Sequence, residues 1–178
     1  MKSSLSRFAV LLVLVLCAVT VLAFTMDGPG TRTAHAAAPA AAARQPVLTI
    51  TTLAGKRFDL ESMRGKWVVV NYWATWCAPC IKEMPALSAF VSSRPRVTAV
   101  GLAYEAQSDD KIRAFLRKHP VDYPVARVDP AHPPQGIAMP SVLPTTFLIA
   151  PDGTLARKMI GPLDMHELAA AIAPAGKP

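Results

Sequence analysis

Apolar and polar residues alternate in three different ways along this chain. Phe8 to Met26 is one apolar stretch of 19 residues without a charge. A helix of that length comes to roughly 28 Å, about the hydrocarbon thickness of a bilayer. Asp27 to Pro46, DGPGTRTAHAAAPAAAARQP, has little to bury and reads as an Ala/Pro-rich tether. From Val47 onward the periods shorten to those of a folded domain. Leu48 to Leu53 alternates, turns at Ala54-Gly55-Lys56 and resumes with Phe58 and Leu60, which predicts a β-hairpin. Trp67 to Trp73, WVVVNYW, and Val97 to Leu102, VTAVGL, are continuous apolar runs of the kind buried on both faces of a sheet.

Between and after these runs the pattern turns helical. The stretch following Trp73 is expected to be a helix broken by Pro85. Ser108 to His119 has a capping Ser108, Asp109 and Asp110 in its first turn and basic residues in its last, with Ile112, Phe115 and Leu116 on one face and Pro120 as its stop. Tyr123 to Val128 predicts a short strand. Thr145 to Ala150, the turn Pro151-Asp152-Gly153 and Thr154 to Ile160 predict a hairpin. Asp164-x-x-Glu167 resembles a capping box ahead of a last helix ending near Ala173. The order is hairpin, then β-α-β-α-β, then β-β-α, an α/β sheet with an antiparallel pair at its end. The expected division is 1–26 signal anchor or signal peptide, 27–46 linker and 47–178 domain.

Charge adds little. The 178 residues carry a net charge of +7, but no run of Lys or Arg exceeds two, and positions 45–178 hold 15 basic against 11 acidic side chains. This is a mildly basic solvated surface, and no nucleic-acid partner is expected. Lys2 and Arg7 precede the apolar stretch and hold that end in the cytoplasm, so the domain faces outward. The length of residues 8–26 favours an uncleaved anchor, a single pass with the domain on the periplasmic or outer side. Small-residue sites at Val21-Leu22-Ala23 and Ala34-His35-Ala36 leave cleavage and secretion as the alternative. Cys17 reads as an apolar residue of the span.

The chemistry concentrates where the WVVVNYW strand runs into Cys77-Ala78-Pro79-Cys80. Two cysteines one helical turn apart can close a small disulfide. Cys77 would sit at a helix start, where free N–H groups and the helix dipole favour a thiolate over the free pKa of about 8.5. Cys80, one turn in, suits the resolving role, and Pro79 tightens the turn. The competing readings are a structural bridge, which so short a loop would stabilise little, and half of a zinc site. The domain has no further cysteine for a Cys₄ site, and His35, His119, His132 and His166 are scattered. No metal and no other cofactor is expected.

Together these residues give the chain a specific resemblance. Trp73-Ala74-Thr75-Trp76-Cys77-Ala78-Pro79-Cys80 with Glu83 and Pro85, and Leu143-Pro144-Thr145-Thr146-Phe147-Leu148-Ile149 with Pro151-Asp152-Gly153, match two signatures about 65 residues apart. They are similar to those of the membrane-anchored TlpA/ResA/DsbE-like thiol–disulfide oxidoreductases of the thioredoxin superfamily. The resemblance implies a thioredoxin fold, a mixed central β-sheet flanked by helices with an amino-terminal hairpin extension. It implies a Cys77–Cys80 redox disulfide and a cis proline, Pro144, turning the backbone of Leu143 toward an extended client. Trp76, Ala78, Pro79, Leu143 and Thr145 are then client-binding, and Trp73, Asn71 and Tyr72 structural.

Many thioredoxins have an Asp six residues before the first cysteine, where this chain has Asn71. The ResA-like branch resembles it in placing an acid three residues after the second cysteine. That is Glu83, expected to tune the thiols and help deprotonate Cys80; the alternative is a solvated Glu83 paired with Lys82 or Arg64. Glu105 is a weaker second acid, otherwise a surface residue. The Pro-rich stretch Val128 to Val142 departs from the family and is expected to form no long helix, with Met139 and Val142 lining the groove beside the dithiol.

The expected activity is reduction of protein disulfides outside the cytoplasm. The clients implied by resemblance are apocytochrome c Cys-x-x-Cys-His segments or copper-site cysteines, and the electron source a membrane thiol protein. The rivals are an oxidant that introduces disulfides, a Cu(I)-binding module using Cys77, Cys80 and Met84, and, more remotely, peroxide reduction.

Overall fold

The structure, a computed structural model, describes residues 45–172. The apolar stretch 8–26, with Cys17, and the tether up to position 44 lie outside the described residues. Among the described residues no helix is long and apolar enough to cross a membrane.

The predicted order of elements is the observed one. Strands β1 (Thr49–Thr51) and β2 (Arg57–Asp59) pair antiparallel as a two-stranded sheet, Ile50 opposite Phe58. A 3₁₀ turn at Glu61–Met63 leads into β3 (Trp67–Trp73). Helix α1 (Ala78–Ser92), strand β4 (Val97–Tyr104), helix α2 (Asp109–Leu116) and strand β5 (Val125–Val128) follow. Strands β6 (Thr145–Ile149) and β7 (Leu155–Ile160) and helix α3 (Met165–Ile172) close the chain. The main sheet has the order β5-β4-β3-β6-β7; β3, β4 and β5 are parallel, and β6 and β7 each run antiparallel to their inner neighbour. This is the mixed sheet of a thioredoxin fold.

The sheet's alternation sorts its side chains into two cores. Val69, Trp73, Ala99, Ala103 and Leu148 face a layer that holds Cys80, Met84 and Leu87 of α1, Ile112 of α2 and Leu168 of α3. Val68, Val70, Tyr72, Val100, Leu102, Phe147 and Ile149 face Leu48, Phe58, Leu60 and Ile137. All three helices thus contribute to one core. The β3-α1-β4 and β4-α2-β5 crossovers advance in the same direction across the sheet, and right-handed crossovers in one direction stay on one side. The opposite face is covered by the hairpin region and by the Pro-rich stretch, which forms no helix.

Three local expectations are corrected. Pro85 does not break α1, which runs unbroken through it. A proline inside a helix costs about 3 kcal/mol. Burial of Met84, Leu87, Phe90 and Val91 on the same helix, at about 1.5–3 kcal/mol each, outweighs it. Ser108 stands at the start of α2 with extended backbone, but its hydroxyl makes no capping bond. The Asp164/Glu167 box is half formed: Asp164 Oδ1 accepts the His166 N–H (2.7 Å), while Glu167 reaches out to Arg157 (2.7 Å).

Candidate active site

The pairing that builds the sheet also gathers the site. Trp73 is level with Ala103 on β4, and Tyr72 with Thr145 on β6. The carboxyl ends of β3 and β4 and the start of β6 therefore meet at one edge, bringing Cys77, Glu105 and Pro144 to the same end of the sheet. Helix α1 begins there. Cys77 caps it with extended backbone (φ −90°, ψ 94°), its N–H donates to Ala74 O (3.1 Å), and its carbonyl accepts the Ile81 N–H (3.1 Å).

Cys77 and Cys80 are joined as a disulfide, Cα atoms 5.3 Å apart. Cys77 keeps 5% of its surface and Cys80 none. What accessible surface the pair retains therefore belongs to Cys77. Ala78 and Pro79 are exposed on the first turn. Trp76 stands 67% exposed beside them, whereas Trp73 is fully buried and packs on Phe115 at 5.5 Å.

Across the edge, the Leu143–Pro144 bond is cis, as the resemblance implies. Pro144 is buried and Leu143 half-buried. The Thr145 hydroxyl donates to Val142 O (2.7 Å), fixing the turn from inside. Val142 is 53% exposed. Met139 is not beside the dithiol: its sulfur accepts from the Tyr72 hydroxyl (3.9 Å), in the core on the other sheet face.

Glu83 is buried, with neither Lys82 nor Arg64 as its partner. Arg64 binds Gln45 (2.7 Å). Glu83 Oε1 accepts Asn71 Nδ2 (2.9 Å) and Oε2 accepts the Leu163 N–H (2.6 Å). Burial pushes its pKa above the ordinary carboxyl range, and the two hydrogen bonds only partly pull it back. Asn71 also donates to Thr146 Oγ1 (3.0 Å), while its own Oδ1 is buried without a partner. Tyr123, whose hydroxyl is likewise buried and unpartnered, is pushed up by burial and by the Glu83 charge. Thr146 escaped the sequence reading, which had no signal for it beyond its place in the second signature.

Glu105 is no surface residue. It is 2% exposed, its Oε1 accepts the Thr75 N–H (2.5 Å), and Gln107 Nε2 lies 3.5 Å from its Oε2. It holds the strand-to-helix loop two residues before Cys77. Met84, the third ligand of the copper reading, is buried in the helix-side core. No group of three or more His, Cys, Asp or Glu able to hold a metal occurs among the described residues.

With this geometry the comparisons with known proteins agree. Residues 37–158 match the family model described as the AhpC/TSA family. The chain is 32% identical over 124 residues to the thiol–disulfide oxidoreductase ResA of Bacillus cereus, covering 69% of this chain and 71% of that protein. Among solved structures it resembles a secreted disulfide oxidoreductase of Mycobacterium tuberculosis, at 28% identity and a TM-score of 0.57, covering 71% of this chain and 94% of that one. It also resembles a thioredoxin-family thiol:disulfide interchange protein of Chlorobium tepidum, at 25% identity and a TM-score of 0.60, covering 72% and 92%.

Proposed function

The chain belongs to the AhpC/TSA family as a ResA-like thiol–disulfide oxidoreductase, and from that we propose that it reduces protein disulfides on the outer side of a membrane. The observation that carries the reading is the asymmetry of the sulfur pair: Cys77 at the helix start with the only exposed surface, Cys80 one turn on and enclosed.

In the reduced enzyme the helix start stabilises the Cys77 thiolate. That thiolate attacks one sulfur of a client disulfide, forms the Cys77–client mixed disulfide and expels the other client sulfur as a thiolate. Cys80, giving up its proton, then attacks the Cys77 sulfur. The client leaves with both sulfurs reduced, and Cys77–Cys80 is again a disulfide. Two electrons pass to the client, and a membrane thiol protein returns two to the enzyme. Leu143, ahead of the cis proline, and the exposed Trp76, Ala78 and Pro79 form the client's seat, where an extended segment adds to the backbone. Glu83, one turn beyond Cys80, takes the Cys80 proton, directly or through water. Residues 8–26 anchor the domain beside its donor and clients, which are proteins bearing a disulfide or an oxidised Cys-x-x-Cys segment.

The test is Cys80→Ser expressed in the native membrane. A client retained on Cys77 as a mixed disulfide, released by dithiothreitol and absent in the Cys77→Ser/Cys80→Ser double variant, supports the reading. The potential fixes the direction: a value near −270 mV suits a reductant, and one near −120 mV would turn the assignment to an oxidant.

A further inference from the structure

Helix α2 has two unlike sides. At 100° per residue, Lys111 and Ala114 fall about 60° apart with Phe115 alongside, while Asp109 and Arg113 lie on the opposite side; Lys118 follows in the turn just past the end of α2, its N–H donating to Phe115 O (2.9 Å). The acids at the start of the helix are already engaged. Asp109 Oδ1 accepts Arg127 Nε (2.8 Å), and Asp110 Oδ1 accepts Arg113 Nη1 (2.8 Å). Arg113 in turn donates to Leu53 O (2.9 and 3.1 Å). Lys111 and Lys118 are both exposed, and neither takes part in an ion pair among the described residues.

Their side of the helix faces the loop that precedes Cys77. Thr75, Gln107, Lys111, Ala114, Phe115 and Lys118 line one open cleft of about 290 Å³. Among its lining residues, Phe115 stacks its ring on His119 at 4.4 Å. Its wall is Thr75, on the loop that carries Trp76 and Cys77, with Gln107 Nε2 3.4 Å from Thr75 Oγ1. The one acid against this wall, Glu105, is buried beneath the loop and occupied by the Thr75 N–H. A client cysteine brought to Cys77 thus passes Trp76, an apolar anchor, and has beside it a cleft rimmed by two ammonium groups without a countercharge.

We propose that this face of α2 docks an acidic segment of the client, lying close in sequence to the cysteine that Cys77 attacks. The proposal rests on the reductant reading above and adds the chemistry of the client. Two lysines at the rim of a cleft complement Asp and Glu side chains, and they repel the Lys- or Arg-flanked cysteines that the Cys77 edge would otherwise accept. Exposed ion pairs are individually weak, about 0.2–1 kcal/mol, so the face selects among clients without binding any of them permanently.

The experiment uses the full-length chain, reduced with dithiothreitol and freed of it, in single-turnover reactions. The substrates are three synthetic peptides with the same internal disulfide, flanked by Asp/Glu, by Ser/Gln or by Lys/Arg, and one uncharged small disulfide, bis(2-hydroxyethyl) disulfide. At low ionic strength the acidic peptide should react about threefold to tenfold faster than the neutral one and the basic peptide slower still, with the ranking compressed by salt. Lys111→Gln/Lys118→Gln should flatten the ranking, and Lys111→Glu/Lys118→Glu should invert it. The uncharged disulfide should react at one rate with all three proteins. No ranking in the native chain, or a ranking that survives both double variants, overturns the docking proposal. Failure of the native chain to reduce the uncharged disulfide is a different result: it removes the reductant reading and the docking proposal with it.

Discussion

Asn71 Nδ2 donates to Glu83 Oε1 over 2.9 Å, linking the central strand β3 to helix α1 three residues past Cys80. The position from which many thioredoxins offer an acid here offers an amide, and the acid comes from the helix instead. The amide points its donor at the carboxyl group and leaves Asn71 Oδ1 without a partner, so the arrangement favours the ionised form of Glu83, while burial opposes it. A carboxyl group whose pKa burial raises in this way is suited to take up and return a proton.

Glu83→Gln keeps the shape and removes the titration. Resolution by Cys80 should slow by about tenfold or more at neutral pH, and the titration of the two thiols, followed by alkylation rate, should shift. Stability gives an independent readout. A carboxyl whose pKa is raised on folding binds its proton more tightly in the folded state. Its contribution is therefore fully present below the ordinary carboxyl range and is lost as pH rises through the raised folded value. Thermal unfolding should accordingly show the native chain losing ground to Glu83→Gln on going from acid to neutral pH. Parallel Tm profiles, together with unchanged thiol titration, would show Glu83 to be a bystander.

Glu105 holds the loop that precedes Cys77. Its carboxyl oxygen receives the Thr75 N–H, so Glu105→Ala leaves that half-buried donor without its partner, at a cost of about 1–3 kcal/mol. Glu105→Gln retains an acceptor oxygen and should lose less. Hydrogen exchange at the Thr75 amide should accelerate in the Ala variant, and the apparent KM for a peptide disulfide should rise more than kcat falls, because the loop carries Trp76. An exchange rate equal to that of the native chain would show the bond to be unimportant.

What the chain disclosed as a sequence was local. WVVVNYW, the alternating hairpin near Phe58 and the Pro151-Asp152-Gly153 turn announce themselves because their residues satisfy neighbours close along the chain. The two signatures around Cys77 and Pro144 marked the disulfide and the cis proline. The polar network was hidden, because Glu83 finds Leu163 eighty residues away and Asn71 finds Thr146 seventy-five away. Glu105 looked solvated for the same reason, since nothing in AYEAQ shows that the chain folds Thr75 over it. Pro85 misled for an energetic reason: a local rule worth about 3 kcal/mol was outvoted by apolar burial along the rest of α1.

Gly101 tests how tightly the helix-side core is fitted behind this network. A Cβ there would stand 3.0 Å from Trp73 Nε1, 3.0 Å from Tyr123 Cε2 and 3.3 Å from Val125 Cγ2. Two effects of Gly101→Ala oppose each other. Glycine inside a strand costs about 0.5–1 kcal/mol in chain entropy, which alanine would recover. Overpacking a closed core costs about 1–3 kcal/mol. Trp73 is fully buried and Tyr123 nearly so, and both are rigid rings, so neither can yield as the end of a flexible side chain would. The steric cost should win, and Gly101→Ala should lose about 1–2 kcal/mol, a fall in Tm of several degrees. Trimming one ring should soften the penalty: in a Tyr123→Leu background the added methyl loses one of its two 3.0 Å contacts, keeps the one to Trp73, and should cost less than in the native chain. Equal losses in both backgrounds would trace the penalty to Trp73 or to the strand and not to Tyr123.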